Sequence, residues 1–365
     1  LSRQLRLEEF GLFYAVFTFV GFFIVLRHLG LDFSLRKFIP EYLIKKEYVF
    51  LKSSIKFIFL VNFFIALILS FIFILFSKFL SENYFKNELA FPLLIIFSIY
   101  FVFYAAYGFL TSVFVGFQKS KIYSFDIFFI NSLVLIGILF FGKYGIFSIA
   151  LSYLFASIFG VLIGTVLLFK SFNFSKYKSK IDKNLIFKLF SYGLPLMLAS
   201  IGFMVIGQID ILMLIKFRTL TEVGIYNVVL PTATILVTLG SSVALAMLPF
   251  VSEYWAVKKF QKIKEIIELL YKKIFILIVP IILIVFIFAE LILKVLFGEN
   301  FIIGSGALRI LSLGSIFFSV ATINNSILSA IGKPKLVTKI ILVAMFLNII
   351  LNLIFIPKYG IIGAA

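Results

Sequence analysis

Cysteine is absent from this chain, histidine occurs once, and charged residues make up only 14% of the 365 residues. The absence of cysteine excludes disulfide scaffolds, cysteine-ligated metals and thiol nucleophiles. The single histidine, His28, is too little for a histidine metal site or a catalytic triad. Because so little catalytic chemistry remains, we predict a protein that is not an enzyme and that uses no cofactor and no metal.

What the chain has instead is apolar surface. Hydrophobic residues make up 63% of it, Phe alone occurs 51 times, and the mean hydropathy is +1.18. A soluble domain is about half apolar and about a quarter charged, so this composition excludes a soluble enzyme and a disordered chain. A membrane-spanning helix needs about 20 apolar residues. Such stretches lie near residues 10–30, 54–77, 90–117, 124–141, 146–169, 187–216, 222–250, 271–297, 302–330 and 336–356, and another begins at Gly360.

Short motifs recur 212 to 215 residues apart, and six helices separate the two copies. The repeated residues include Leu7, Glu9 and Gly11, which return as Leu220, Glu222 and Gly224. This pattern predicts an all-α polytopic membrane protein built of two parallel six-helix bundle repeats, as transporters use for alternating access. We expect an N-terminal helical lobe over 1–170 and a C-terminal helical lobe over 184–365. About 11 spans are then visible, and we expect one further helix before Leu1 and a last helix cut short.

Lys and Arg distinguish the two sides of the membrane, because positive charge accumulates in cytoplasmic loops. Alternate loops hold most of the 34 Lys and Arg residues, and they include 31–53, 170–188 and 251–273. We therefore predict that these loops are cytoplasmic in a multi-pass protein of the cell membrane. The net charge of +18 then needs no nucleic-acid partner. The basic amphipathic segments Leu35–Lys46 and Ala256–Lys273 are expected to lie among anionic lipid headgroups.

Several segments carry a family resemblance. They are LEEFGLFY at 7–14, LGLDFSLRKFIPEY at 29–42, GLP at 193–195, VGIY at 223–226 and LSAIGKPK at 328–335. Together they resemble polysaccharide and lipid-linked-oligosaccharide flippases of the multidrug/oligosaccharidyl-lipid/polysaccharide exporter superfamily, over essentially the whole chain. The resemblance implies two six-helix bundles around a central cavity, and a lipid-pyrophosphate-linked glycan as substrate. Glycosyltransferases are possible partners of such a protein.

The span near 302–330 carries a polar face at helical spacing. Its members are Ser312, Ser315, Ser319, Thr322, Ser326 and Ser329, with Arg309 at the outer end. One interpretation is that these small residues allow close helix packing. The other is that Arg309, Ser312, Ser315, Ser319 and Thr322 line a cavity and bind the substrate, with Arg309 on a phosphate. On the matching span of the first copy, Tyr100, Tyr104 and Tyr107 form a ridge that is typical of packing but able to stack on sugars.

Other polar residues inside spans are also candidates, because hydrocarbon disfavours them. Asn227 and Thr234 lie on a polar face and are proposed to contact the substrate. Asp210 lies inside the span near 187–216 and is either a coupling-ion site for a proton or Na⁺, or an acid paired with a neighbouring Lys or with backbone amides. Arg27 and Lys56 either attract the anionic headgroup or extend their charges to the membrane interface.

These observations predict a transporter that flips lipid-pyrophosphate-linked oligosaccharide or polysaccharide repeat units from the cytoplasmic to the outer leaflet by alternating access. An alternative is a cation-coupled multidrug exporter of the same superfamily, which would need more acidic residues in its cavity. An integral-membrane glycan polymerase or ligase is a third hypothesis. It would need a substantial outer loop, and the longest one expected here is only 78–88.

Overall fold

The computed structural model describes the backbone of residues 3–365, and their side chains except at positions 120, 239–249, 256 and 334. The described chain contains helices and no strand. The first half comprises α1 (Leu7–Phe22), α2 (Ile24–Arg27), α3 (Leu31–Ile44), α4 (Tyr48–Leu80), α5 (Ala90–Gly116), α6 (Ser120–Phe141) and α7 (Ile146–Ser171). The second half comprises α8 (Lys183–Phe217), α9 (Leu220–Ala256), α10 (Phe260–Ile287), α11 (Ala289–Phe297), α12 (Ser305–Ala330), α13 (Pro334–Tyr359) and α14 (Ile361–Ala364).

Ten of the described helical segments are long and apolar enough to cross a membrane. Each segment overlaps one of the ten stretches expected from the sequence, so the all-α polytopic fold is confirmed. Helices satisfy their own backbone hydrogen bonds, which is why an apolar chain adopts them in hydrocarbon. The stretch after Gly360 forms only the short helix α14 in the residues described.

The chain forms two compact units. The first contains Arg3–Leu5 and Leu12–Gln208, and the second contains Arg6–Gly11 and Ile209–Ala365. The change from one to the other therefore falls inside α8, after Gln208. The lobes expected over 1–170 and 184–365 stay a prediction.

The core of the first unit includes a segment that the sequence placed in a loop. Residues 31–44 form α3, and its Leu31, Leu35 and Ile39 are fully buried. They join a cluster with residues of α4, α5, α7 and α8. Residues 31–53 are therefore mostly helical rather than a loop, and Arg36, Lys37, Lys45 and Lys46 remain exposed on the opposite face. The placement of Leu35–Lys46 among the headgroups and on the cytoplasmic side stays a prediction. The apolar residues of α3 recur at helical spacing and bury one face, which leaves only 45–47 as a connector.

In the second unit, a close contact between helices explains the repeated glycine motif. Gly11 packs against the Leu220 carbonyl and against Gly224, so that a Cβ at Gly11 would overlap the backbone of α9. The two equivalent glycines of the repeat thus touch each other.

The N-terminal part of α10 keeps its amphipathic pattern, with Ile263 buried and Lys262 and Lys264 exposed. The Ala256 side chain lies outside the described residues.

Candidate functional site

The first predicted span is not continuous. α2 ends at Arg27, and the chain turns through Leu29 and Gly30, with φ of 45° and 74°, before α3 begins at Leu31. Gly30 packs directly against the backbone of Gly193 in α8, where a Cβ would overlap the Gly193 carbonyl. A side chain at position 30 is therefore disfavoured by the left-handed backbone and excluded by the contact with Gly193. This contact gives the glycine of the 193–195 motif a structural role.

A buried charged cluster lies at this break, and we name Arg27, Asp32 and Asn62 the Arg27 cluster. The Arg27 Nη2 is 3.4 Å from the Asp32 Oδ2, and the Asn62 Nδ2 donates a 2.8 Å hydrogen bond to the Asp32 Oδ1. All three residues are at most 6% exposed. The break between α2 and α3 places both charges at one point, and Asn62 reaches them from α4.

The cluster lies well inside the span of α5. A Cβ at Gly108 would stand 2.5 Å from the Arg27 Nη2, so the guanidinium rests on the surface that this glycine leaves bare. Gly108 is about two turns from the end of the 27-residue helix α5. Transporters commonly bind their substrates near the bilayer midplane, where spanning helices are interrupted. The break at residues 28–30 follows the end of the first candidate span, Leu7–Arg27, and brings the Arg27 guanidinium against the inner part of α5.

The charge balance of the cluster is incomplete. Asp32 offsets the charge of Arg27 on one side, yet the Nε and Nη1 of Arg27 are buried and have no hydrogen-bond partner among the described residues. A buried donor without a partner costs about 1–3 kcal/mol, and more when the group is charged. Guanidinium groups bind phosphate oxygens through parallel hydrogen bonds. The unused donors of Arg27 therefore suit an anionic group.

The other cations predicted to bind substrate lie in different surroundings. Lys56 is exposed on α4. Arg309 on α12 donates from Nη2 to the Glu290 Oε1 at 2.9 Å and from Nε to the Phe286 carbonyl at 3.2 Å. The Nε and Nη2 of Arg309 are therefore already paired, whereas the Nε and Nη1 of Arg27 have no partner among the described residues. Extension to the membrane interface does not describe Arg27, because its side chain is only 3% exposed.

The predicted polar face of α12 is largely buried. Ser312, Ser315 and Ser319 are at most 3% exposed, and each hydroxyl donates to a carbonyl three or four residues earlier in its own helix. Thr322 is partly buried and donates to the Phe318 carbonyl. This placement fits the packing interpretation, and a role in binding substrate stays a prediction. On α9, Asn227 and Thr234 also donate to their own helix, to the carbonyls of Val223 and Leu230.

Asp210 forms a second buried cluster, in the second unit. Its Oδ2 accepts a hydrogen bond from the Tyr226 hydroxyl at 2.5 Å, and its Oδ1 accepts from the Ile211 amide at 3.0 Å. The same hydroxyl lies 3.0 Å from the Ala364 carbonyl. A phenol carries one proton, so it can donate to Asp210 or to Ala364 but not to both. Protonation of Asp210 would weaken this acceptor and favour the bond from the Tyr226 hydroxyl to the Ala364 carbonyl of α14.

Sequence reasoning did not find every buried polar residue. Asp32 and Asn62 had no assigned role, although Asn62 in the middle of an apolar span carried the signal that polar groups in hydrocarbon are rare. Asp126 on α6 is fully buried, and neither carboxylate oxygen has a partner among the described residues. Groups of acids and histidines able to hold a metal do not occur in the part of the chain described.

The family comparison decides what kind of protein this is. The model of the family described as polysaccharide biosynthesis protein matches residues 1–255. This chain belongs to that family. The MatE family model also matches residues 195–354. The uncharacterized membrane protein MJ1068 of Methanocaldococcus jannaschii is 31% identical over 382 residues, which cover all of this chain and 75% of that protein.

A second relative has a name that describes a function. The probable low-salt glycan biosynthesis flippase Agl15 of Haloferax volcanii is 30% identical over 177 residues. This match covers 48% of the chain in hand and 38% of Agl15.

Solved structures show the fold. An inward-facing multidrug resistance MATE family transporter of the MOP superfamily matches with a TM-score of 0.76 and 14% identity, over 98% of this chain and 84% of that one. The lipid II flippase MurJ, in an inward closed conformation, matches with a TM-score of 0.69 and 19% identity, over 98% and 81%. This family member is thus a multi-pass membrane protein with the MOP superfamily fold.

Proposed function

We propose that this protein flips lipid-pyrophosphate-linked oligosaccharide or polysaccharide repeat units from the cytoplasmic to the outer leaflet of the cell membrane by alternating access. The observation that carries the proposal is Arg27, a buried cation with two unpaired nitrogens at the end of a spanning helix. Membership of the polysaccharide biosynthesis family and the similarity to the Agl15 flippase support the same substrate class.

The physical problem is the charged headgroup. A pyrophosphate loses its hydration in hydrocarbon at a cost far above thermal energy, whereas its lipid tail stays in the bilayer throughout. A protein that supplies guanidinium donors inside its helical bundle replaces part of that hydration. The task needs no covalent chemistry, so we propose a transporter rather than an enzyme.

The closed state of the Arg27 cluster links binding to movement. The free donors of Arg27 are buried, so a phosphate reaches them only when neighbouring helices open. A ligand favours whichever conformation it binds better. A pyrophosphate on Arg27 would therefore stabilise the open conformation, and its release would allow the cluster to close.

We assign Asp210 the role of coupling residue. The single proton of Tyr226 and its two acceptors give the two protonation states of Asp210 two different hydrogen-bond patterns. Membrane potential is a second source of direction. Two negative charges moving outward across an inside-negative membrane gain about 4–5 kcal/mol per 100 mV.

A cation-coupled multidrug exporter is the competing proposal, and the MatE match over 195–354 favours it. The Arg27 cluster opposes it. The free side of that cluster presents positive charge, which repels a cationic drug and attracts a phosphate.

The decisive experiment is flipping in proteoliposomes. A polyprenyl-pyrophosphate oligosaccharide with a fluorescent label on the sugar is placed in both leaflets, and a membrane-impermeant quencher reports the label that reaches the outside. We expect wild-type protein to flip the lipid and Arg27→Gln to slow flipping at least tenfold, because the anion loses its main donor. Arg218→Gln is the matched control, since Arg218 pairs with Glu222 on the surface of the second unit.

Equal flipping by wild type and Arg27→Gln would defeat the proposal, as would wild-type export of a cationic dye with no movement of the glycan lipid.

An imposed pH gradient across the proteoliposome membrane tests the coupling residue. Asp210→Asn should retain flipping but lose its response to the gradient. Cytoplasmic placement of 170–188 and 251–273 is tested by labelling single cysteines from one side, which is practical because the chain has none of its own.

A further inference from the structure

The first unit encloses an aromatic cavity that no proposed role yet uses. It has a volume of about 150 Å³ and lies among α5, α6, α7 and Phe17 of α1. We name it the tyrosine cavity after its aromatic lining, which consists of Phe17, Tyr100, Tyr104, Tyr107 and Tyr153. Asn131 and Ser157 complete its polar edge.

The rings support one another and form a continuous wall. Tyr100 and Tyr104 are stacked with centroids 5.2 Å apart, and Tyr153 meets Tyr100 at 6.3 Å and Phe17 at 5.3 Å. Tyr104 continues to Tyr107 at 6.1 Å. Such contacts hold aromatic side chains in fixed positions. The cavity is therefore preformed, as ligand sites usually are.

The tyrosine hydroxyls are left available. Those of Tyr100, Tyr104, Tyr107 and Tyr153 make no hydrogen bond with any described residue. Hydroxyls elsewhere on α5 bond to their own helix, as Ser98 does to the Leu94 carbonyl. Four unused hydroxyls around one cavity offer a set of donors and acceptors to a ligand.

The cavity is next to the Arg27 cluster. Tyr104 lines the cavity, and Arg27 rests against Gly108 of the same helix. Gly108, on which the guanidinium rests, follows Tyr104 by one turn of α5, a rise of about 6 Å. A ligand with one group in the cavity and another on Arg27 therefore has to span only a short distance.

These features select one class of ligand. A lipid tail would leave the four hydroxyls unpaired, and an organic cation would be repelled by Arg27. A bare anion would face the negative faces of the aromatic rings. A pyranose ring has apolar faces for the aromatic wall and hydroxyl edges for the tyrosines, and a cavity of about 150 Å³ accommodates one six-membered ring.

We propose that the tyrosine cavity binds the first sugar ring of the glycan, the one that carries the phosphate, while that phosphate binds Arg27. This assignment rests on the proposed function and adds a specificity site to it. The cavity reads the identity of the first sugar, and Arg27 recognises the phosphate common to all such lipids.

The test measures binding rather than transport. Full-length protein in nanodiscs is titrated with a panel of hexose 1-phosphates and N-acetylhexosamine 1-phosphates, and with inorganic phosphate as reference. We expect at least one sugar phosphate to bind more tightly than phosphate alone. Tyr153→Phe and Asn131→Leu should each weaken that sugar phosphate about fivefold, the value of one hydrogen bond, and leave inorganic phosphate unchanged. Arg27→Gln should weaken both ligands.

Tyr123→Phe is the matched control, because this tyrosine of α6 does not line the cavity, and it should change neither affinity. Equal binding of sugar phosphates and phosphate, or no effect of both cavity variants, would overturn the proposal. The proposal would also be overturned if cyclohexanol or tetraethylammonium, at a concentration equal to that of the sugar phosphate, displaced it from the cavity. If the wild-type protein binds sugar phosphates in this sugar-dependent way but does not flip glycan lipids in proteoliposomes, the proposed function is refuted and the assignment of the cavity is upheld.

Discussion

α5 and α12 are equivalent helices in the two copies of the repeat. One face of each helix carries a similar buried serine, whereas the adjacent face carries different residues in the two helices. Ser98 of α5 and Ser312 of α12 are both fully buried, and each hydroxyl bonds within its own helix. The neighbouring positions differ completely. Tyr100, Tyr104 and Tyr107 in α5 match Gly314, Phe318 and Ala321 in α12.

The difference separates what the repeat needs from what the site needs. Small residues on the shared face permit close helix packing in both copies. The aromatic ridge forms a cavity in the first unit, whereas Gly314 faces open space and Phe318 is 47% exposed. We infer that the duplicated helices supply a common scaffold and that substrate recognition belongs to the first copy.

The largest expected effect concerns the buried charges of the first copy. Arg27→Gln should lower the free energy of unfolding by about 3–5 kcal/mol, because Asp32 is left as a buried charge without its partner. Adding Asp32→Asn should restore most of this stability without restoring flipping. Thermal unfolding in detergent measures the first effect, and the proteoliposome assay measures the second.

Arg309→Gln is the comparison in the second copy. The side chain of its partner, Glu290, is 58% exposed, so the loss should stay below about 1 kcal/mol. Equal losses of stability for Arg27→Gln and Arg309→Gln would contradict the burial of the Arg27–Asp32 pair that distinguishes the first copy.

Filling the shared packing face should have the next largest effect. Ser98→Leu and Ser312→Leu should each lower the free energy of unfolding by about 1–3 kcal/mol, since neither site has room for a larger side chain. Thermal unfolding of the two variants should give similar losses. Ser191→Leu, at an exposed serine of α8, should change stability by less than about 0.5 kcal/mol. If Ser312→Leu left the free energy of unfolding unchanged, the second copy would not pack at this face as the first copy does.

A smaller effect of opposite sign is expected at Gly314. Gly314→Ala should raise the free energy of unfolding by about 0.5–1 kcal/mol, because alanine favours the helix and the space around this position is open. Gly108→Ala offers the matched change in α5, where the new methyl would displace Arg27 and lower stability. Thermal unfolding distinguishes the signs, and a loss at Gly314 would mean that this face of α12 is occupied.

The sequence predicted the spans and the repeat because apolar runs and recurrent motifs are local signals. It also singled out Arg27, Ser312 and Asp210, since polar residues in hydrocarbon stand out by composition. The partners of these residues were harder to foresee. Tyr226 lies 16 residues after Asp210 and Asn62 lies 30 residues after Asp32, so their pairing depends on how helices pack.

The break at residues 28–30 could not be predicted from hydropathy. Arg27, His28 and Gly30 end the first apolar run, which is also how a span ends at a membrane surface. The structure shows instead that the chain continues as α3, held by the contact of Gly30 with Gly193. The tyrosine cavity was missed for the same reason, because Tyr153 and Asn131 come from two other helices.

The smallest expected effect concerns Glu41, and Glu41-Tyr42 recurs 212 residues later as Glu253-Tyr254. A hydrogen bond from Lys45 lowers the pKa of Glu41, and Lys188 lies 3.4 Å from the same carboxylate oxygen. The stabilisation from a lowered acid pKa is present above the unfolded value of 4.5 and is lost as the pH falls through the folded value. Glu41→Gln should therefore lower the free energy of unfolding by about 0.2–1 kcal/mol at pH 7, and by progressively less as the pH falls below 4.5. Glu253 is exposed and makes no side-chain ion pair with a described residue, so Glu253→Gln should have no effect over the same pH range. Thermal unfolding across that range makes the comparison, and a pH-independent loss in Glu41→Gln would show that packing rather than charge holds this end of α3.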